Sequence, residues 1–166
     1  MADNSLRIKK KLLSFSEAFF IQQINTDHIN QCLVIENAAK KTRSNRSEKE
    51  LLEFLENYLC FGIFENDKLI GFAFFSRALD EAELLDVTIA KDKQNGGIGS
   101  YFLEQSFQTL KQKHYICTII LEVAINNISA IKAYQKFNYQ QIGVRKNYYQ
   151  NTDGSKTDAL VYKITL

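Results

Sequence analysis

The chain is 166 residues long and 45% hydrophobic, and its 21 basic and 19 acidic side chains leave a formal net charge of +2. That length is one domain with a core of its own, and the balanced charge gives no basis for a nucleic-acid-binding face or a membrane surface. No apolar stretch is long enough to cross a bilayer, and the basic start (Arg7, Lys9 to Lys11, Leu12-Leu13) is interrupted by Ser14, Ser16 and Glu17, so no secretory signal core is expected. The cysteines Cys32, Cys60 and Cys117 are far apart and sit among apolar neighbours. They predict buried, reduced thiols in a cytoplasmic protein, with no metal site.

Residues 1–18 read as an N-terminal extension and 19–166 as the domain. Phe19 to Ile24 has the composition of a first strand. Thr26-Asp27 can cap a helix running through Leu33, Val34 and Ile35 to about Ala39. The polar, basic stretch Lys40 to Arg46 predicts a loop. Ser47 and Glu50 make an S-x-x-E capping box ahead of Leu51, Leu52, Phe54 and Leu55 at helical spacing. Tyr58 to Phe64 and Leu69 to Arg77 predict a hairpin turning at Glu65-Asn66-Asp67-Lys68. Leu84 to Ala90 is a further strand, and Gly99 to Lys113 a long amphipathic helix. Ile116 to Ala124 is almost wholly apolar, as a strand buried on both faces would be. Asn127 to Phe137 reads as a helix. Tyr139 to Tyr149 and Thr157 to Thr165 read as two strands joined through an Asp-Gly turn. The order β-α-α-β-β-β-α-β-α-β-β mixes hairpins with strand–helix–strand crossovers. It predicts an α/β fold, a three-layer mixed β-sheet with helices on both faces.

Chemistry-bearing residues concentrate in the second half. Gln94-Asn95-Gly96-Gly97-Ile98-Gly99-Ser100 lies between a strand and a helix. Glycines there let backbone approach a ligand, and helix N-terminal N–H groups favour phosphate. A glycine-rich turn with no ligand is equally consistent with these residues. No Gly-Lys-Ser/Thr follows, so this is not a Walker loop. Glu122 interrupts the apolar run Leu121-Glu122-Val123, and a carboxylate on a buried strand is costly unless it is partnered or used. Tyr134 shares a helix face with Ile131, so it is either a core aromatic or a buried phenol with a task. Asn127 is either a helix cap or a ligand contact.

In this order, Gln94-x-x-Gly97-x-Gly99, Leu121-Glu122-Val123, Asn127 and Ala133-Tyr134 resemble the GCN5-related N-acetyltransferase superfamily over roughly Phe19 to Leu166. Within it, Arg145-Lys146-Asn147-Tyr148-Tyr149, Thr152-Asp153-Gly154 and Asp158-Ala159 are similar to the bacterial ribosomal-protein-alanine N-acetyltransferases. The resemblance implies the acyl-CoA N-acyltransferase fold and transfer of acetyl from acetyl-CoA to an amine without a metal. The implied acceptor is the N-terminal α-amino group of a protein such as ribosomal protein S18. It also implies roles. Backbone of Val87, Thr88 and Ile89 would bind the acetyl and pantetheine arm, and the loop Gln94, Asn95, Gly96, Gly97, Ile98, Gly99, Ser100 the pyrophosphate. Asn127 would contact the CoA arm. Glu122 would be the general base and Tyr134 the general acid, while Tyr148 and Tyr149 would line the peptide channel.

Alternation along a strand predicts that one ring of that tyrosine pair faces the channel and the other packs. The competing readings are a small-molecule amine or lysine acceptor, which predicts a divergent last hairpin, and a non-catalytic acetyl-CoA-binding module, which predicts loss of Glu122 or Tyr134. The chain departs from the family where Asn45-Arg46-Ser47 replaces its Pro-Trp-Ser segment, and where the turn Asp153 to Asp158 is one residue longer.

Overall fold

The centre of the sheet is a hairpin whose side chains alternate between two cores. β2 (Leu59–Glu65) and β3 (Lys68–Ala78) pair antiparallel. They turn through Asn66 at φ 48° and Asp67 at φ 63°, the left-handed pair that a two-residue turn matched to strand twist requires. Cys60, Phe72 and Phe74 enter one cluster, while Phe61, Ala73 and Phe75 enter the other. The first cluster is covered by α1 (Ile29–Ala38) and α2 (Glu48–Asn57) through Cys32, Ile35, Leu51 and Leu55. The second is covered by α3 (Ile98–His114) and α4 (Ile128–Gln135) through Phe102, Phe107, Leu110 and Tyr134. Helices on both faces of one sheet are the three layers that the sequence predicts.

This computed structural model describes residues 13–39, 45–135, 137–151 and 153–166. The expected extension over 1–12, most of the expected basic loop and Thr152 of the last turn lie outside the described residues. Residues 13–18 are helical, and the Phe15 ring lies 5.3 Å from that of Tyr101 on α3. The remaining strands are β1 (Phe20–Gln23), β4 (Glu81–Ile89), β5 (Thr118–Ala124), β6 (Gln140–Gln150) and β7 (Lys156–Thr165), in the sheet order β1-β2-β3-β4-β5-β7-β6. β4 and β5 are parallel and joined through α3, and the other neighbours are antiparallel. Among the described residues, no helix is long and apolar enough to cross a membrane.

Local chemistry sets the helix starts. The Ser47 Oγ accepts the Glu50 N–H at 3.3 Å, and the Ser47 N–H donates to Glu50 Oε2 at 2.7 Å, closing the expected capping box. The earlier cap falls one residue before Thr26-Asp27. Asn25 Oδ1 accepts the Asp27 N–H at 3.1 Å and opens a 3-10 turn, Thr26–His28, ahead of α1. Of the three cysteines expected inside, Cys32 and Cys60 are buried, but Cys117 is exposed. It alternates with the buried Ile116 and Thr118 where the chain enters β5, so its side chain points out.

Two irregularities shape the functional end of the sheet. β4 carries an extra residue at Leu85, since Phe74 pairs with Asp86 but Phe75 with Leu84. β4 meets β5 only over Glu81–Leu84, whereas β5 continues beside β7 as far as Ala124. Beyond the bulge β4 and β5 diverge, and the β5-facing edge of Leu85 to Ile89 has no strand partner. The second irregularity is in β6, where Arg145 pairs with Ala159 and Tyr149 with Thr157, four steps against two. Asn147 takes φ 54° inside that bulge. Its N–H donates to Asp158 Oδ1 at 2.8 Å, and Lys146 Nζ donates to Asp158 Oδ2 at 2.8 Å.

Glycine at 71 holds β4 against β3. A Cβ there would stand 2.6 Å from Ile89 Cδ1 and 2.9 Å from the Thr88 carbonyl oxygen, whereas at Gly143 the nearest atom would be 3.9 Å away. Gly71→Ala should therefore cost about 1–3 kcal/mol, the usual penalty of overpacking, and Gly143→Ala about nothing. Equilibrium urea unfolding of the two variants checks this, and equal costs would contradict the assigned packing.

Candidate active site

The divergence of β4 and β5 opens a cavity of about 760 Å³. Its walls are Glu83 to Val87 of β4, Glu122 to Ala124 of β5, and Asn126 to Ala130 at the start of α4; Arg46, Tyr134, Tyr148 and Tyr149 also line it. The sheet supplies the position, because only where two strands part can side chains and backbone of both face a common space.

Glu122 stands at the centre of the polar contacts. Its side chain is 7% exposed, and Arg145 Nε lies 2.7 Å from its Oε1. The Tyr148 phenol lies by the same carboxylate, and that neighbour, then burial, raises its pKa. The Tyr149 hydroxyl donates to the Glu122 carbonyl at 3.2 Å. Both tyrosines therefore line the cavity, and their rings meet edge-on with centroids 5.1 Å apart. The expectation that they lie on opposite faces fails, because the β6 bulge breaks the alternation between Arg145 and Tyr149. Across the gap, burial raises the pKa of Glu83; the Glu122 charge adds to this and Arg145 opposes it.

Tyr134 is buried on α4 and packs its ring against Tyr139 at 5.7 Å. Burial, then the charge of Asp86, then Tyr149 push its pKa upward. Its hydroxyl therefore stays protonated at neutral pH. Asp86 in turn accepts from Arg46 Nη1 at 2.7 Å and from the Thr88 hydroxyl at 3.1 Å. Asn127 caps α4, its Oδ1 accepting the Ala130 N–H at 3.3 Å and the Ser129 hydroxyl at 3.1 Å, and it borders the cavity.

The structure brings Val87, Glu122, Asn127, Tyr134, Tyr148 and Tyr149 to this one space. It leaves Thr88, Ile89 and the loop from Gln94 to Ser100 off the cavity wall. They continue the same β4 edge toward the N-terminus of α3. There Asn95 at φ 63° and Gly97 at φ 89° turn the chain, and Gly97 is the N-cap. A Cβ at Gly96 would meet nothing within 4 Å, so the space in front of the helix is open. The Gln94 amide instead donates to the Ile89 carbonyl at 2.9 Å and ties the loop to the strand. Among the described residues there is no group of three or more His, Cys, Asp and Glu arranged to hold a metal ion.

Sequence reasoning passed over Asp86, Glu83, Arg145 and Arg46 as site residues. Asp86 interrupts an apolar strand as Glu122 does, so the same signal was available. Arg145 lay inside a motif without a role of its own, and Arg46 lay at the departure from the family's Pro-Trp-Ser.

A sequence model of the Acetyltransferase (GNAT) family matches residues 25–139. The chain belongs to the GNAT family. It is an acetyl-CoA-dependent N-acetyltransferase. The chain is 34% identical over 111 residues to the ribosomal protein bS18-alanine N-acetyltransferase of Escherichia coli (strain K12), covering 67% of this chain and 74% of that one. It is 37% identical over 106 residues to the protein of the same name in Haemophilus influenzae, covering 64% and 71%. Among solved structures, the crystal structure of the ribosomal-protein-S18-alanine N-acetyltransferase from Escherichia coli superposes with a TM-score of 0.80 at 31% identity, covering 89% of this chain and 93% of that one. A spermidine/spermine N-acetyltransferase from Vibrio cholerae, at 17% identity and TM-score 0.74, shares the fold alone.

Within this GNAT domain one polar atom stands out. Among the described residues, the Tyr139 hydroxyl is buried without a hydrogen-bond partner. An unsatisfied buried hydroxyl destabilises, so Tyr139→Phe should raise stability by about 1 kcal/mol and leave turnover unchanged. Thermal unfolding and an acetylation assay check both parts, and a destabilised variant would show that the hydroxyl has a partner.

Proposed function

We propose that this GNAT enzyme acetylates the N-terminal α-amino group of a protein, and that an alanine-starting ribosomal protein of the bS18 kind is its acceptor in the cytoplasm. The observation that carries this reading is the convergence of Tyr148 and Tyr149 on Glu122. Two aromatic rings at the base offer apolar area and hydroxyls to an extended peptide, and a small amine has no backbone for them to hold. The names of relatives that match 64–67% of the chain support the same acceptor.

The residues present fit acetyl-CoA. The unpaired edge of Val87, Thr88 and Ile89 offers backbone groups to an extended amide-bearing arm, as a sheet edge offers them to an added strand. The N–H groups from Asn95 to Ser100, at the positive end of the helix dipole of α3, suit a pyrophosphate. Gln94 holds that loop in place, and Asn127 borders the arm. Acetyl-CoA supplies the acyl group as a thioester. An α-ammonium has a pKa of about 7.7–8.0 and is largely protonated at neutral pH. Glu122 takes that proton and leaves the amine nucleophilic. A backbone N–H of Val87 to Ile89 stabilises charge developing on the acyl oxygen. Tyr134, kept protonated by its burial, gives its proton to the leaving thiolate.

Glu122→Gln should lower kcat by about 10²–10⁴-fold at neutral pH, the usual worth of a general base. The loss should shrink as pH rises and the amine deprotonates unaided. Wild-type rates in this variant would remove Glu122 from the mechanism. Tyr134→Phe, which keeps the ring, should reduce kcat with little change in stability. An alanine-starting ribosomal peptide should be acetylated far faster than spermidine or free lysine, and the opposite ranking would overturn the acceptor assignment.

The phosphate cradle is best tested at Gly96, since any side chain at Gly97 would be strained by φ 89°. Acetyl-CoA stabilises the native state it binds. Gly96→Val should abolish the ligand-induced rise in Tm without changing the Tm of the free protein. A retained shift would place the pyrophosphate elsewhere.

A further inference from the structure

A carboxylate that takes a proton from an ammonium does so best when its oxygens are open to that ammonium. Yet Arg145 Nε is 2.7 Å from Glu122 Oε1, and the two side chains differ sharply in exposure, 58% against 7%. The carboxylate is removed from water and needs a counter-charge. The guanidinium is on the solvent side, on the bulged stretch of β6, and its other neighbour is the Tyr148 ring at 5.3 Å. The guanidinium can turn into water at small cost to itself, provided that another cation takes its place on the buried carboxylate.

We propose that Arg145 is a stand-in for the acceptor's ammonium, neutralising Glu122 in the free enzyme and turning out to solvent as the amine enters, so that one cation replaces another on the same carboxylate. The proposal rests on Glu122 being the base.

The surrounding charges favour such an exchange. Glu83 and Asp86 on β4 line the cavity with Glu122, and Arg46 is committed to Asp86 at 2.7 Å. Tyr134 on α4 and Tyr148 and Tyr149 on β6 face the space with their phenol rings, and Val161, paired with Glu122 from β7, carries no charge. Arg145 therefore supplies the positive charge for Glu83 and Glu122 together, the role indicated by its opposition to the raised pKa of Glu83. Removing Arg145 without replacement would leave Glu122 beside Glu83 with no cation of its own among the described residues. Only an incoming cation restores the balance, so the acceptor binds as ammonium and is deprotonated in place. The same exchange disfavours acceptors that arrive neutral.

The test compares Arg145→Gln and Arg145→Lys with the wild type, using an alanine-starting peptide and acetyl-CoA across pH. In Arg145→Gln the peptide KM should fall by about fivefold above the carboxylate titration range, because the competing cation is gone. The acid limb of kcat/KM should move to higher pH, since Glu83 and Glu122 then face each other without the guanidinium. Acetyl-CoA affinity should not change, while Tm should fall, because the buried carboxylate loses its counter-charge. Arg145→Lys should return the acid limb toward its wild-type position. A peptide KM that rises in Arg145→Gln with the limb unmoved would make Arg145 a docking residue and overturn the proposal, and so would unchanged values of both. Glu122→Gln in the same assay keeps the two readings apart. Undiminished activity there removes the base assignment itself. A large loss there beside an inert Arg145→Gln removes only the exchange.

Discussion

Everything at the functional end of this protein depends on two parallel strands that part company at one extra residue. With Leu85 inserted, β4 follows β3 to Ile89 but leaves β5 after Leu84. Backbone N–H and C=O groups are obligatory hydrogen-bonding groups, and a strand edge without a partner is an open binding surface. β5 cannot close the gap, because its other edge is tied to β7 from Thr118 to Ala124 and its side chains are fixed in the core under α3 and α4. The gap is thus built in by register on both sides. The N-terminus of α3 lies at the end of the same strand, so one continuous edge leads from the cavity to the open start of a helix, a position that favours anions. A long molecule with amides along its arm and phosphates at its far end suits that path.

The charges follow from the same opening. Carboxylates that a closed sheet would not tolerate sit on the diverging strands, and each has a partner. Glu122 has Arg145 and Tyr148, and Asp86 has Arg46 and Thr88. Arg46 also donates its backbone N–H to Glu36 Oε1 at 2.9 Å, where the Glu36 side chain is fully buried. Its guanidinium lies 4.3 Å from the centroid of the Phe54 ring. A flat, permanently charged group stacked on an aromatic ring covers apolar surface and carries charge together. Arg46 does both here. It fastens α1, the start of α2 and β4 to one another beside the cavity.

Much of this was legible in the residues, and the rest was hidden for definite reasons. Element order followed from periodicity and caps, because Ser47-x-x-Glu50, the Asn66-Asp67 turn and the apolar run into Val123 each have one cheap backbone solution. Glu122 and Tyr134 stood out as polar groups at apolar positions, and they do meet across one cavity. Bulges were invisible. Nothing in Leu84-Leu85-Asp86 marks the residue that drops out of register, and alternation applied to Tyr148-Tyr149 gave the wrong faces because Asn147 breaks it at φ 54°. Cys117 was misjudged because apolar neighbours in sequence are not neighbours in space at a strand entry. Arg46 and Arg145 escaped because a surface-type residue shows its partner only once the chain has folded.

The most direct measurement is a crystal structure of the enzyme soaked with acetyl-CoA. The account predicts the pantetheine arm between β4 and β5, hydrogen-bonded to the backbone of Val87 to Ile89. The pyrophosphate should lie on the N–H groups of Asn95 to Ser100, and the acetyl group should face the space between Glu122 and Tyr134. A cofactor lying outside the β4–β5 gap, with Val87 to Ile89 still unpaired, would contradict it.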